Sequence, residues 1–264
     1  AFIEKSRQMG VSWMLCGLFV YGFIFHGHKY LMISQKEDLV DKKGDMKSLF
    51  EKMRFMLRHL PDWMLPDGLS KDSETDCNKH MALSRKDNSG SITGESANPD
   101  ASRGGTYAAI FMDEMPTMQN AQQIKTAASR ASPCVIYNGT PLGKGNEYYR
   151  IRASLEEDMK QGREPRYAWF RLHWSEHPFY TQEWYNAQKA TMTPEEVAQE
   201  LDINYNTSVV GRVYPEYDVT TVKADYDDEL PLFCAIDNSH GGADPHAFIL
   251  CQIRNHTWEI VDYL

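Results

Sequence analysis

Apolar residues along the first 145 positions fall in short runs that end in small polar or charged residues. Residues 30–34, 108–112 and 133–137 are each apolar at nearly successive positions, as strands buried on both faces are. Between them lie stretches that read as helices: 13–25, apolar; 36–60, charged; and 121–131. Strands alternating with helices predict a parallel sheet with covered faces, an α/β fold. The 13–25 run reads as a buried helix, hydrophobic on most sides because it packs beneath the sheet. The charges of 36–58 alternate in sign and predict a solvated helix face. Residues 61–70 are turn-rich, and a short strand at 91–93 follows the polar turn 87–90.

Downstream, 146–205 reads as mainly helical apart from a strand at 167–173. Its aromatic cluster of Trp169, Phe170, Trp174, Phe179, Tyr180, Trp184 and Tyr185 is expected in a core. Residues 206–230, acidic near their end, read as a connector. The runs 232–236 and 258–264 read as strands.

The first helix is preceded by Lys5, Ser6, Arg7, Gln8, Met9, Gly10, Val11 and Ser12. This stretch resembles the phosphate-binding pattern G-x-x-x-x-G-K-[ST], whose backbone N–H groups cradle phosphates at a helix N-terminus. Gly10 and Ser12 match it, Lys5 stands at the first-glycine position, and Val11 stands where the lysine belongs. A nucleoside triphosphate needs cations, and Lys5 and Arg7 are the nearest replacements. Alone, such a pattern is equally a plain helix start; the motifs that follow it in order favour phosphate binding.

The 108–112 run ends in Asp113 and Glu114. A buried strand ending in adjacent carboxylates can deliver one acid to a Mg²⁺ shell and the next to a water. The strand that starts at 133 ends in Asn138, Gly139, Thr140 and Pro141, a polar tip able to touch a terminal phosphate. Phosphoryl transfer then assigns Ser12 and Asp113 to Mg²⁺, Glu114 to the attacking water, and Lys5 to the β- and γ-phosphates. Arg7 becomes a second cation or nucleotide sensor, and Thr140 or Asn138 couples phosphate loss to movement.

In this order and over nearly the whole chain, the motifs resemble the large terminase subunit of tailed bacteriophages, the motor that pumps DNA into the procapsid. The loop 5–12 resembles the deviant Walker A of terminases, 110–114 their Walker B strand, and 138–141 their coupling motif. Arg103, followed by Gly104 and Gly105, resembles the segment that carries an arginine finger in several members. Residues 174–178, 193–200 and 211–215 resemble the region leading to the nuclease, and 233–250 the opening hairpin of its RNase H-like fold.

The resemblance implies a P-loop ATPase core of the additional-strand class at 1–145, a helical lid or linker at 146–205, a connector at 206–230 and the start of an RNase H-like nuclease at 231–264. It implies ATP with Mg²⁺ at the first site and Mg²⁺ or Mn²⁺ at the second, where Asp237 would be the first ligand and catalytic acid. Asp244 reads better as a turn residue before Pro245, and Asp262 has no motif support. The partners implied are double-stranded DNA, the portal protein, the small terminase subunit and further copies of the chain in a ring, in the host cytoplasm. Two alternatives stay open: a helicase-like or recombination ATPase, which would replace the hairpin with a second motor domain, and a non-catalytic DNA-binding or scaffold protein.

Composition bounds these readings. A net charge of −9 over 264 residues argues against a generally basic nucleic-acid coat but leaves room for a local basic rim. Five cysteines at irregular spacing suggest reduced thiols; Cys16, Cys134, Cys234 and Cys251 are expected in the core. Cys77 with His80, and His26 with His28, have spacings best read as coincidence. The 13–25 run is shorter than the roughly 20 residues of a membrane helix. Both ends are expected to be cut within strands, which would leave the segment that clasps adenine and the remaining nuclease acids outside this sequence, and this stretch alone unable to cut DNA.

Overall fold

The computed structural model describes residues 1–69, 75, 77–206, 224–237, 247–254 and 257–263. It divides into two compact units, Ala1–Arg212 and Val213–Leu264. The first takes in both the stretch expected as an ATPase core and the helical stretch after it.

In chain order the first unit comprises β1 (Phe2–Lys5), α1 (Val11–His26), β2 (Lys29–Ser34), α2 (Glu37–Val40), α3 (Leu49–His59), β3 (Asn78–Lys79), β4 (Ala82–Ser84) and β5 (Ser91–Ser96). There follow β6 (Ala109–Met112), α4 (Ala121–Ala131), β7 (Val135–Gly139), α5 (Glu147–Lys160), β8 (Trp169–Leu172), α6 (Gln182–Lys189) and α7 (Pro194–Glu200). An eight-stranded sheet has the order β3-β4-β5-β2-β6-β7-β1-β8. From β5 to β8 all neighbours pair in parallel, while β3 and β4 add an antiparallel edge.

Alternation along the strands divides the core between the two faces. Tyr30, Met32, Phe111 and Ile136 pack on one side with Phe19 and Phe23 of α1 and Phe50 and Met53 of α3. Leu31, Ile33, Ile110, Met112 and Tyr137 pack on the other with Ile124 and Ala128 of α4 and Tyr148 and Ile151 of α5. The sheet is thus covered on both faces, as successive apolar positions require.

Several expectations change. Residues 36–60 form two helices separated by 41–48, not one. The charges of α3 are partnered more than solvated: Arg54 reaches Asp41 through two bonds of 2.5 and 2.7 Å, and Arg58 bonds Glu51 at 2.7 Å. Glu51 and Lys52 are buried, and burial lowers the Lys52 pKa. Helix α1 is less enclosed than its composition predicts. Leu15, Phe19 and Phe23 are covered, whereas Met14, Leu18, Tyr21 and Phe25 are exposed, because sheet and α3 leave one flank open among the described residues.

The β3–β4 edge hairpin has no counterpart in the sequence reading. Trp174 is buried against Tyr180, Trp184 and Tyr185, but Phe170 and Phe179 are exposed. Cys134, just before β7, and Cys234 are also exposed, and Cys251 is only partly buried; only Cys16 and Cys77 are buried.

The second unit holds β9 (Leu232–Asp237), β10 (Ala247–Arg254) and β11 (Thr257–Tyr263), antiparallel in the order β11-β10-β9. Asp237 closes β9, an edge strand on which Cys234 lies. Asp262 pairs with Leu250, which pairs with Cys234, so it is not a cross-strand neighbour of Asp237. Asp244 lies outside the described residues.

Candidate active site

Three adjoining strands, β6, β7 and β1, end side by side and deliver the chemistry. Lys5 is the last residue of β1, Asp113 and Glu114 follow β6 directly, and Asn138 lies in β7 with Thr140 just after it. Crevices at the carboxyl ends of parallel strands are where α/β folds bind ligands.

The loop between β1 and α1 faces this edge. Gln8 and Gly10 have φ of 62° and 75°, in the left-handed region that glycine adopts without strain. These two bends turn successive N–H groups into a concavity of the kind that receives anions. Among the described residues the N–H groups of Gln8, Met9 and Gly10 meet no protein acceptor. Gly10 also supplies no side-chain cap to α1, whose first-turn N–H groups every helix leaves open. Partial positive charge therefore gathers where the sequence places phosphates. Val11, at the position of the usual lysine, is buried in the core, so the cation has to come from elsewhere.

Lys5 supplies it. Its side chain is 7% exposed, and the ammonium lies 2.8 Å from Glu114 Oε1 and 3.1 Å from Thr140 Oγ1. Glu114 Oε2 lies 3.4 Å from the Thr140 N–H. Glu114 itself has φ 52°, a left-handed conformation that costs a non-glycine residue on the order of 1 kcal/mol or more and clusters at functional sites. Thr117 Oγ1 donates to its carbonyl at 2.8 Å and holds the bend. Close approach is built in at Gly139 as well, where a Cβ would come within 2.3 Å of Pro116.

Beside this triad sits a second one. Ser12 Oγ lies 3.0 and 3.1 Å from the two oxygens of Asp113, and Asn138 Nδ2 donates to Asp113 Oδ1 at 2.7 Å. Burial raises the Asp113 pKa, the Glu114 charge adds to the rise, and Lys5, Asn138 and Ser12 oppose it. Asn138 Oδ1 is buried with no partner among the described residues. A hydroxyl, one carboxylate and an unpaired amide oxygen suit a cation that keeps much of its water shell and takes one or two carboxylates, as Mg²⁺ does. Among the described residues no group of three or more His, Cys, Asp or Glu side chains is arranged to hold a metal ion.

Ser6 does not belong to the cradle. Its N–H donates to Leu172 O at 2.9 Å, its hydroxyl donates to Leu201 O, and it accepts from the Trp174 N–H at 2.9 Å. It anchors the loop to the helical part of the unit. Arg7 shares that anchorage: its N–H bonds Glu200 O at 2.6 Å, and its exposed guanidinium lies 3.6 Å from the Glu200 carboxylate. Met9 packs partly against the core, leaving its N–H as its contribution. No local pattern in the sequence pointed to the partners at 172–201.

A network under β1 was also missed. Glu4, fully buried beside Lys5, accepts from Arg152 (2.9 Å), Tyr205 (3.0 Å) and Trp169 (3.2 Å). A lone acid inside the apolar start of the chain was its one visible signal.

Arg103 lies apart from Lys5 and Glu114. It is exposed, pairs with Asp100 at 3.0 Å, and lines a cleft of about 820 Å³ with Gln122, Thr126 and Arg130. Asp237 belongs to the second unit.

The sequence matches no protein-family model and no curated protein. Solved structures do share the fold. The large terminase of a thermophilic bacteriophage aligns with a TM-score of 0.53 at 13% identity, covering 100% of this chain and 62% of that one. The same terminase in complex with ATP-γ-S aligns with a TM-score of 0.53 at 12% identity, again over 100% of this chain and 62% of that one. The ATPase domain of the Thermus phage P74-26 large terminase aligns with a TM-score of 0.50 at 19% identity, over 77% of this chain and 88% of that one. The fold is therefore that of the terminase ATPase domain, and the chain spans 62% of the length of the first of these terminases. No helix among the described residues is long and apolar enough to cross a membrane.

Proposed function

We propose that this chain carries the ATP-hydrolysing motor of a viral DNA-packaging terminase. The observation that carries the reading is the convergence of Lys5, Glu114 and Thr140 beside Ser12, Asp113 and Asn138, in front of unpaired N–H groups at the start of α1. Phosphoryl transfer needs little covalent help from a protein; it needs positioning and charge.

In this reading the triphosphate lies against the N–H groups of 8–12. Ser12 and Asp113 would hold Mg²⁺, which supplies charge neutralisation across the β- and γ-phosphates. Lys5 exchanges Glu114 for phosphate oxygens, and the freed carboxylate orients the attacking water and takes its proton. Thr140 touches both Lys5 and Glu114, so loss of the γ-phosphate is felt at the end of β7. Ser6 and Arg7 pass the change to 172–201 through their bonds. Residues 1–145 then act as motor core, 146–205 as lid and 206–230 as connector.

The same proposal extends to translocation of double-stranded DNA by a homo-oligomeric ring on the portal protein, with the small terminase subunit as DNA-delivering partner, in the host cytoplasm. Arg103 is the finger offered to a neighbouring subunit. In the second unit Asp237 is the first acid of an RNase H-like endonuclease site for Mg²⁺ or Mn²⁺, with other acids needed to complete it.

The test is a packaging reaction with cognate procapsids, double-stranded DNA and ATP, scored as DNA protected from added nuclease. Protection with the wild-type protein and none with Lys5→Ala is the expected result. Robust ATP turnover with no protection, under conditions where portal binding is demonstrated, would instead favour an ATPase without a packaging role.

A further inference from the structure

Beneath the end of β1 a carboxylate outside the phosphate site holds three elements together. Glu4 is fully buried and directly precedes Lys5. Side chains alternate along a strand, so Lys5 reaches Glu114 and Thr140 while Glu4 turns to the other face, toward α5. Glu4 Oε2 accepts from Arg152 of α5 at 2.9 Å and from Tyr205 at 3.0 Å, and Oε1 accepts from Trp169 of β8 at 3.2 Å. One turn before Arg152, on the same face of α5, lies Tyr148, also fully buried. Its hydroxyl is 2.5 Å from Ile3 O of β1 and 3.2 Å from Gly139 O of β7. The two strands pair in register up to Glu4 and Gly139, and Lys5 and Thr140 are the next residues, joined by their own bond of 3.1 Å. The contacts close a ring: Lys5 to Thr140, Gly139 to Tyr148, one turn of α5 to Arg152, Arg152 to Glu4, and the chain back to Lys5.

We propose that Glu4 is a positioning residue of the ATPase site, acting through Arg152 and Tyr148 to fix the end of β1 against the end of β7, and so Lys5 against Thr140. The inference rests on the nucleotide reading above and adds to it a residue that touches neither nucleotide nor metal. Lys5 and Thr140 lie just past the last paired residues of β1 and β7, where the strand ladder no longer holds them. Phosphoryl transfer is sensitive to such placement, since a shift of about 1 Å can cost on the order of 10²-fold in rate. A buried network with its partners matched is rigid, and this one grips both strand ends from a single helix. Its chemistry requires an ionised carboxylate. A carboxylate accepts on both oxygens, whereas a carboxamide of the same shape must turn its NH₂ either on the Trp169 N–H or on the Arg152 and Tyr205 donors. Glu4→Gln therefore opens one side of the grip with almost no change in volume.

Affinity for a non-hydrolysable ATP analogue and the rate of single-turnover ATP hydrolysis test this in the full-length protein. They are measured for wild type, Glu4→Gln, Tyr148→Phe and the double variant. The expected result is a rate lowered by about 10- to 100-fold in each single variant, with analogue affinity kept within about threefold, because the N–H groups of the phosphate loop are untouched. The two side chains do not bond each other, yet as parts of one clamp they should be coupled. The double variant is then no more than about threefold slower than the slower single variant, well short of the product of the two losses. Should Glu4→Gln fail to fold, Tyr205→Phe, which removes one donor to the same carboxylate, takes its place in the cycle.

A wild-type rate in the Glu4 variant overturns the positioning role while leaving the ATPase reading standing. So does a loss of affinity as large as the loss of rate, which is what a merely loosened structure gives, or a double variant whose loss is the product of the single ones. Wild-type protein that neither binds the analogue nor hydrolyses ATP overturns the ATPase reading itself, and this inference with it.

Discussion

Lys5 Nζ sits 2.8 Å from Glu114 Oε1, with the lysine side chain 7% and the glutamate side chain 37% exposed. The cation proposed for the phosphates and the carboxylate proposed for the water are thus paired with each other in this structure. Lys5→Ala should abolish tight ATP binding and turnover, at little cost in stability because Glu114 retains access to solvent. Val11→Ala should do the reverse. Val11 is 2% exposed, so the truncation costs roughly 2 kcal/mol of folding stability while turnover per folded molecule is kept. Thermal unfolding together with steady-state hydrolysis separates the two effects, and a critical Val11 with a dispensable Lys5 would put the loop in the wrong register.

Asp113 carries a cost in folding stability. Burial raises its pKa above the ordinary 3.8, so the nucleotide-free native state binds this proton more readily than the unfolded chain. The sign follows: ionised Asp113 weighs against folding near neutral pH, and the penalty disappears as pH falls through its raised pKa. Asp113→Asn should therefore unfold at a higher temperature than wild type at pH 7, with each kcal/mol recovered worth roughly 2–4 °C. The gap should close as the pH is lowered. The same variant should lose Mg²⁺-dependent nucleotide binding. A lower unfolding temperature at neutral pH would show that the bonds from Ser12 and Asn138 outweigh desolvation.

Much of the site was legible because its residues sit at strand ends, where an apolar run stops at a polar residue. Asp113, Glu114, Asn138 and Thr140 were found in this way, Lys5 from its place at the head of the loop pattern, and the structure brings all five to one edge. What stayed hidden depends on long-range packing. Ser6 looked like a member of the phosphate cradle, yet its hydroxyl is used by Leu201 and Trp174, partners that no local pattern names. The charges on α3 read as solvated because alternating sign says nothing about Asp41 and Asn78, which bind Arg54 from outside the helix. Helix α1 read as enclosed because uniform apolarity does not reveal which flank the sheet and α3 leave open. The β3–β4 hairpin was missed for want of length: strands of two and three residues carry too little alternation to register.

Arg103 should act across a subunit boundary. It is exposed and paired only with its loop neighbour Asp100 among the described residues, so it is available to another chain. A finger supplied in trans is worth roughly 10³–10⁵ in rate in related phosphoryl-transfer systems. Mixing Arg103→Ala and Glu114→Gln proteins, each inactive alone, should restore part of the ATPase activity. No recovery in mixtures shown to co-assemble would leave Arg7, beside the loop, as the finger acting in cis.

Asp237 should matter for DNA cleavage and not for the motor, because it belongs to the second compact unit. In the full-length protein with Mn²⁺ or Mg²⁺, Asp237→Ala should stop cleavage of plasmid DNA and leave ATP hydrolysis unchanged. Undiminished cutting would remove Asp237 from the metal site.

The central claim, that this edge of the sheet hydrolyses ATP with Glu114 as base, is tested most directly by one paired measurement. Bound nucleotide and hydrolysis rate are followed in the same single-turnover reaction for wild type and Glu114→Gln. The variant should bind ATP at least as tightly as wild type, since Lys5 is released from its ion pair, while hydrolysis falls by about 10²–10⁴-fold. Equal hydrolysis by the two proteins, or loss of binding in the variant with an unchanged rate for what remains bound, would contradict it.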